Sequence, residues 1–246
     1  MVSVRILTLF LSAVALVCGQ SQLGQSPPPV RALTPEEHGD VFMARKMYRE
    51  AIEAYREGPK SAVIWNKIGI AFHQLGNLDS ARKNYEMAIK TDRKYADAVN
   101  NLGTIYYAQK NYRAATSRYK KAIQLAPEKA SYWSNLGTAW YSRGKFEEMT
   151  AAYQKALSLD RDIFEHRGTV GTELQDRTVA DRARYHFVMA RMYAQNGQND
   201  LALQYLRRAL EEGLKDKTKI VEAKEFAALR DTDEFKELMA LEPRVL

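Results

Sequence analysis

The sequence predicts an all-α solenoid of stacked, antiparallel helix pairs. Three series share one period: Gly69, Gly103 and Gly137, then Tyr85, Tyr119 and Tyr153, then Ala88, Ala122 and Ala156, each stepping by 34 residues. A fixed period of this length is the mark of a repeat architecture. Each period also carries two apolar stripes at helical spacing. Trp65, Ile68, Gly69 and Phe72 fall at i, i+3, i+4, i+7, as do Val99, Leu102, Gly103, Tyr106 and Trp133, Leu136, Gly137, Trp140. Ala81, Tyr85 and Ala88 follow i, i+4, i+7. Such spacing places each set on one helical face.

The composition agrees with a folded protein: 46% of residues are hydrophobic and 27% charged in a chain of 246. The net charge of +7 is spread among acidic neighbours, and adjacent basic residues such as Lys120-Lys121 and Arg207-Arg208 form no more than pairs. That pattern argues against nucleic acid as a partner, which calls for a concentrated basic stripe.

Residues 1–19 read as a signal peptide. Arg5 precedes an uncharged run from Ile6 to Val17, and Val17 and Gly19 suit a cut before Gln20. A membrane-spanning helix wants roughly 20 apolar residues. Two other readings are an uncut membrane anchor and lipid attachment at Cys18, against which the bulky Val17 stands. Membrane contact is expected only through such an uncleaved or lipidated N-terminus. The expected location is periplasmic or extracellular. Cys18 is the sole cysteine, so the mature chain relies on packing rather than disulfides. Residues 20–33, with Pro27-Pro28-Pro29, read as a Pro/Gln/Ser-rich linker.

Helices are expected from Thr34 onward. Thr34-Pro35-Glu36-Glu37 combines an N-cap, a proline at the first helical position and a capping-box glutamate. Glycine inside a helix costs about 1 kcal/mol relative to alanine, so its recurrence implies close helix approach. Turns are read at Leu75-Gly76-Asn77, Lys110-Asn111 and Arg143-Gly144-Lys145.

Trp133-x-x-Leu136-Gly137-x-x-Trp140, followed in pattern by Ala115, Tyr119, Ala122 and Pro127 of the preceding unit, resembles the tetratricopeptide repeat. The resemblance implies a right-handed superhelix and a polypeptide partner. Residues 34–160 hold four such units; the first is shorter, with Gly39, Phe42, Tyr48, Ala51 and Tyr55. Residues 161–178, with Gly168 and Gly171, read as an irregular insertion or a hairpin. A fifth unit is expected at 179–214, with Ala190 in the glycine slot and Leu206 in the tyrosine slot. Residues 215–246 are expected to form capping helices, with Asp231 and Glu234 resembling a helix cap.

No catalytic or cofactor motif stands out. His38, His73, His166 and His186 are not spaced as metal ligands, and neither a phosphate loop nor a nucleophile elbow is present. No cofactor, no metal and no enzymatic activity are expected.

In the family, first helices line the concave groove. The partner-binding positions expected there are Asn66 and His73, then Asn100, Asn101, Thr104 and Tyr107, then Ser134, Asn135, Thr138 and Tyr141. Asn amides donate and accept, so they can pair with a peptide backbone, and Tyr adds rigid contact area. Lys67 is the only lysine in that row, at another slot from the carboxylate clamp known in the family. The function expected is an exported adaptor that binds a protein or peptide. The alternative is a non-catalytic auxiliary subunit of a cell-envelope enzyme or export complex; self-association is a further possibility.

Overall fold

In the computed structural model, residues 31–165 and 178–241 are described. The expected signal peptide, most of the linker, the centre of the insertion and the last residues of the C-terminal region lie outside them. The described residues form helices α1 (Pro35–Ala44), α2 (Tyr48–Glu57), α3 (Ala62–Gln74), α4 (Leu78–Thr91), α5 (Ala96–Ala108) and α6 (Tyr112–Leu125). They continue with α7 (Ala130–Ser142), α8 (Phe146–Leu159), α9 (Val179–Gln195), α10 (Asn199–Glu211), α11 (Lys217–Glu222), a 3-10 turn (Lys224–Phe226) and α12 (Asp233–Ala240).

Five hairpins pair α1 with α2, α3 with α4, α5 with α6, α7 with α8 and α9 with α10. First helices also touch one another, α3 with α5 and α5 with α7. They therefore form the inner row, and the second helices form the outer one.

The recurring glycine is explained by the tyrosine 16 residues later in sequence. A Cβ on Gly69 would lie 2.5 Å from the Tyr85 ring, and one on Gly103 2.7 Å from the Tyr119 ring. Gly39 with Tyr55 and Gly137 with Tyr153 are at least as close. Each ring fills the space a Cβ on the first helix would need, and only glycine leaves room. These tyrosines are at most 1% exposed. In the fifth hairpin Leu206 replaces the ring and Ala190 replaces the glycine, both buried. Slimmer packing there allows the Cβ.

Sequence-local chemistry sets the helix ends. Thr34 accepts from the Glu37 amide while Glu37 accepts from the Thr34 amide, a complete capping box. Ser61, Asn77 and Asn111 cap α3, α4 and α6 through side-chain oxygens. Each hairpin turn needs a left-handed residue: Gly76, Gly144 and Gly197 supply it freely, whereas Lys46 (φ 59°) and Lys110 (φ 60°) adopt it at a steric cost. At the C-terminal end, Phe226, Leu229, Phe235 and Leu238 are buried in the same core as Met189, Tyr193 and Leu206 of the fifth hairpin. They cover the end that a sixth unit would otherwise occupy. The cap of α12 is Thr232, which accepts from the Phe235 amide, rather than Asp231. Asp233 and Glu234 follow in the first turn, where they favour the dipole. Residues 161–165 form a turn that buries Ile163 and sets Phe164 edge-on to Tyr153, 4.9 Å between centroids.

Candidate functional site: the inner face of the array

The inner helices α3, α5 and α7 each present two adjacent polar slots. Asn66 and Asn100 occupy one, Asn101 and Asn135 the next. The helical stack offsets successive units so that a slot meets its neighbour's adjacent slot, 35 residues on. Asn101 Nδ2 donates to Asn66 Oδ1 at 3.0 Å, and Asn135 Nδ2 donates to Asn100 Oδ1 at 3.0 Å. Asn100 Nδ2 donates to Asn101 Oδ1 at 3.3 Å and joins the two rungs. The result is a continuous amide ladder across three units. Its members are buried or half-buried, so its bonds are wholly or partly shielded from competing water.

The same offset recurs outside the ladder. The Tyr132 hydroxyl donates to Asp97, and the Tyr107 hydroxyl pairs with Ser142 at 2.8 Å. Within hairpins the outer-helix tyrosine reaches the residue after the glycine: Tyr55 donates to Asp40 at 2.7 Å, Tyr119 to Thr104 at 3.2 Å, and Tyr153 pairs with Thr138 at 3.0 Å. Desolvation by burial, and for Tyr55 also the Asp40 carboxylate, holds Tyr55 and Tyr153 well above the ordinary tyrosine range.

These contacts correct part of the expected groove map. Tyr107 and Tyr141, expected to face a partner, are each 1% exposed. Tyr107 packs 5.2 Å from Tyr112, and Tyr141 packs 5.9 Å from Phe146 and 5.3 Å from Tyr185 of the following unit. Their slot faces the next inner helix, and the stack closes over it. Asn66, Asn100, Ser134, Asn135 and Thr138 are likewise buried. Only His73, Asn101 and Thr104 of the expected set are partly exposed, beside Val63 and Gln74, which are open. Burial lowers the His73 pKa and keeps its ring neutral near pH 7.

One cluster escaped sequence reasoning. Lys67 Nζ lies 2.7 Å from Asp40 and 2.7 Å from Glu36, tying the first hairpin to the second. Burial alone would lower the lysine pKa, but these two carboxylates outweigh it and raise it. The signal was the odd lysine in an otherwise neutral row. Among the described residues, no group of three or more His, Cys, Asp or Glu side chains is arranged to hold a metal ion. No helix among them is long and apolar enough to cross a membrane.

The stacked hairpins, the glycine–tyrosine contacts and the stitched inner helices define a helical-repeat scaffold of the protein-interaction kind. The sequence matches a family model described as "TPR repeat" over residues 69–110 and 103–142, and one described as "Tetratricopeptide repeat" over residues 130–163 and 183–212. The chain belongs to the tetratricopeptide repeat family. Among solved structures it is similar to PilF of Pseudomonas aeruginosa, with 20% identity and a TM-score of 0.54, covering 83% of this chain and 86% of that one. It also resembles MamA, with 22% identity and a TM-score of 0.49, covering 74% of this chain and 96% of that one. At such identities the PilF likeness speaks for the fold alone. No curated protein sequence matches the chain.

Proposed function

We propose that the chain is an exported scaffold that binds a polypeptide along the inner face of its second to fourth units. The observation that carries this reading is the amide ladder. It holds the inner helices in one register and leaves Asn101, Thr104 and His73 partly open beside the exposed Val63 and Gln74. A fixed row of neutral donors and acceptors suits an extended backbone, because the ordering cost is met during folding rather than at binding. The apolar run from Ile6 to Val17 supports export.

Two substitutions on the open inner positions test the reading. Val63→Arg with Gln74→Arg adds bulk and charge at exposed sites, so helicity should stay unchanged. A partner captured from an envelope extract by the wild-type chain should be lost by this variant. Retention of the partner would remove the inner face as its binding surface. The mass of the protein recovered from its source tests export: a chain starting at Gln20 supports it, and one retaining Met1 speaks against cleavage.

A further inference from the structure

We propose that the outer face of the third unit, centred on α6, is a second docking surface and that it takes an acidic polypeptide segment. The net positive charge is dispersed along most of the sequence but concentrates on one outer helix. The outer helices α2, α4, α8 and α10 each mix acidic and basic residues, whereas α6 carries Arg113, Arg118, Lys120 and Lys121 and no acidic residue. All four are exposed, and among the described residues none has a carboxylate within ion-pair distance. On other outer helices some cations are paired, as in Arg56 with Glu53 and Arg82 with Asp79 and Glu86, and each of those helices carries carboxylates of its own.

Helix stability does not account for the cluster. Arg118 and Lys121 stand at i, i+3, a like-charge spacing that weakens a helix slightly. The last turn, where cations favour the dipole, holds no basic residue. Two of the cations are held in place by aromatic rings. The Arg118 guanidinium lies 6.0 Å from the Tyr106 centroid, and Lys120 Nζ lies 4.9 Å from the Trp140 centroid.

The same contacts choose among anionic partners. Arg143 lies over Trp140 as well, at 4.4 Å, so a base stacking on these rings competes with cations already placed there. The exposed positions of α6 are Arg113, Ser117, Arg118, Lys120, Lys121 and Gln124, with no large apolar residue to enter a lipid layer. Ser117 and Gln124 add hydrogen-bonding groups between the charges. Exposed cations alongside neutral polar side chains match a Glu- or Asp-rich polypeptide.

The test is fluorescence anisotropy of a labelled oligoglutamate peptide with the full chain. Arg113→Gln with Lys121→Gln, two residues that touch no ring, should weaken binding by about fivefold at low salt. Arg49→Gln with Arg56→Gln on α2 removes the same charge elsewhere and should change it less than about twofold. Raising salt from about 50 mM to 300 mM should weaken wild-type binding further, because exposed pairs are screened. Equal losses from both variants would reduce the effect to net charge and overturn the proposal, as would unchanged binding by the α6 variant or salt-independent binding. Single-stranded DNA and phosphatidylserine vesicles serve as rival probes. Tighter binding of either, lost in the α6 variant, would overturn the polypeptide reading.

Discussion

Adding one methyl group at Gly103 tests the central packing device of the fold. Alanine in a helix is favoured over glycine by about 1 kcal/mol, so propensity alone predicts stabilisation. The structure predicts the reverse. A Cβ at Gly103 would lie 2.7 Å from Tyr119 Cε1, where ordinary contact begins at 3.4 Å, so the hairpin has to open by about 0.7 Å. The ring cannot swing aside. It is 0% exposed, and its hydroxyl is tied to Thr104 at 3.2 Å. Overpacking of this kind costs about 1–3 kcal/mol, leaving Gly103→Ala destabilised by about 1 kcal/mol after the propensity gain. In a Tyr119→Leu background the clash disappears, as it does in the native Ala190–Leu206 pair. There the same Gly103→Ala change should stabilise by up to about 1 kcal/mol. The sign reversal amounts to a coupling of about 2 kcal/mol, readable as a double-mutant cycle from urea titrations followed by circular dichroism. If Gly103→Ala stabilises the otherwise wild-type chain, the close-packed ring is not what selects glycine.

Asn100 is the joint of the inner ladder, bonded to both Asn101 and Asn135. Asn100→Ala removes one buried and one half-buried bond and should cost about 1–3 kcal/mol by urea unfolding; a neutral result would make the ladder incidental. His73 gives a pH signature. Burial holds its pKa below the ordinary value near 6.5, so the unfolded chain takes the proton first. The contribution of His73 is therefore complete above about pH 6.5 and is lost as pH falls through the lower, folded-state pKa. The urea midpoint of the wild type should drop between about pH 7.5 and 5 by more than that of His73→Gln. Parallel curves for the two proteins would remove His73 from the pH dependence.

The repeat was legible in the sequence because it is a local property repeated. A 34-residue period, helical stripes of apolar residues and a glycine in each first helix all follow from what one hairpin needs. The capping box at Thr34 and Glu37 was equally local, since its partners are three residues apart. Even the linked exchange of Gly and Tyr for Ala190 and Leu206 stands in the sequence, although only the contact distances say why the two changes go together.

The inner face was legible as a row of positions but not as a surface. From the sequence, Tyr107 and Tyr141 share a helical side with the groove residues. Whether that side meets solvent depends on how far each unit rotates against the next, which no single hairpin encodes. The rotation brings slots 35 residues apart together. It turns Asn66, Asn101, Asn100 and Asn135 into one ladder and closes the tyrosines inside the stack. Charge divides between the two levels. No acidic residue stands between Asp97 and Glu128, so the basic run of α6 is local in the sequence, but whether a carboxylate from another unit reaches it is decided by the fold. The sequence by itself determined the repeat, its helices and their caps, because those depend on neighbours within a few residues. Only the tertiary structure decided which polar residues are buried as stitches and which cations on α6 stay unpaired, because both depend on the stacking of units distant in sequence.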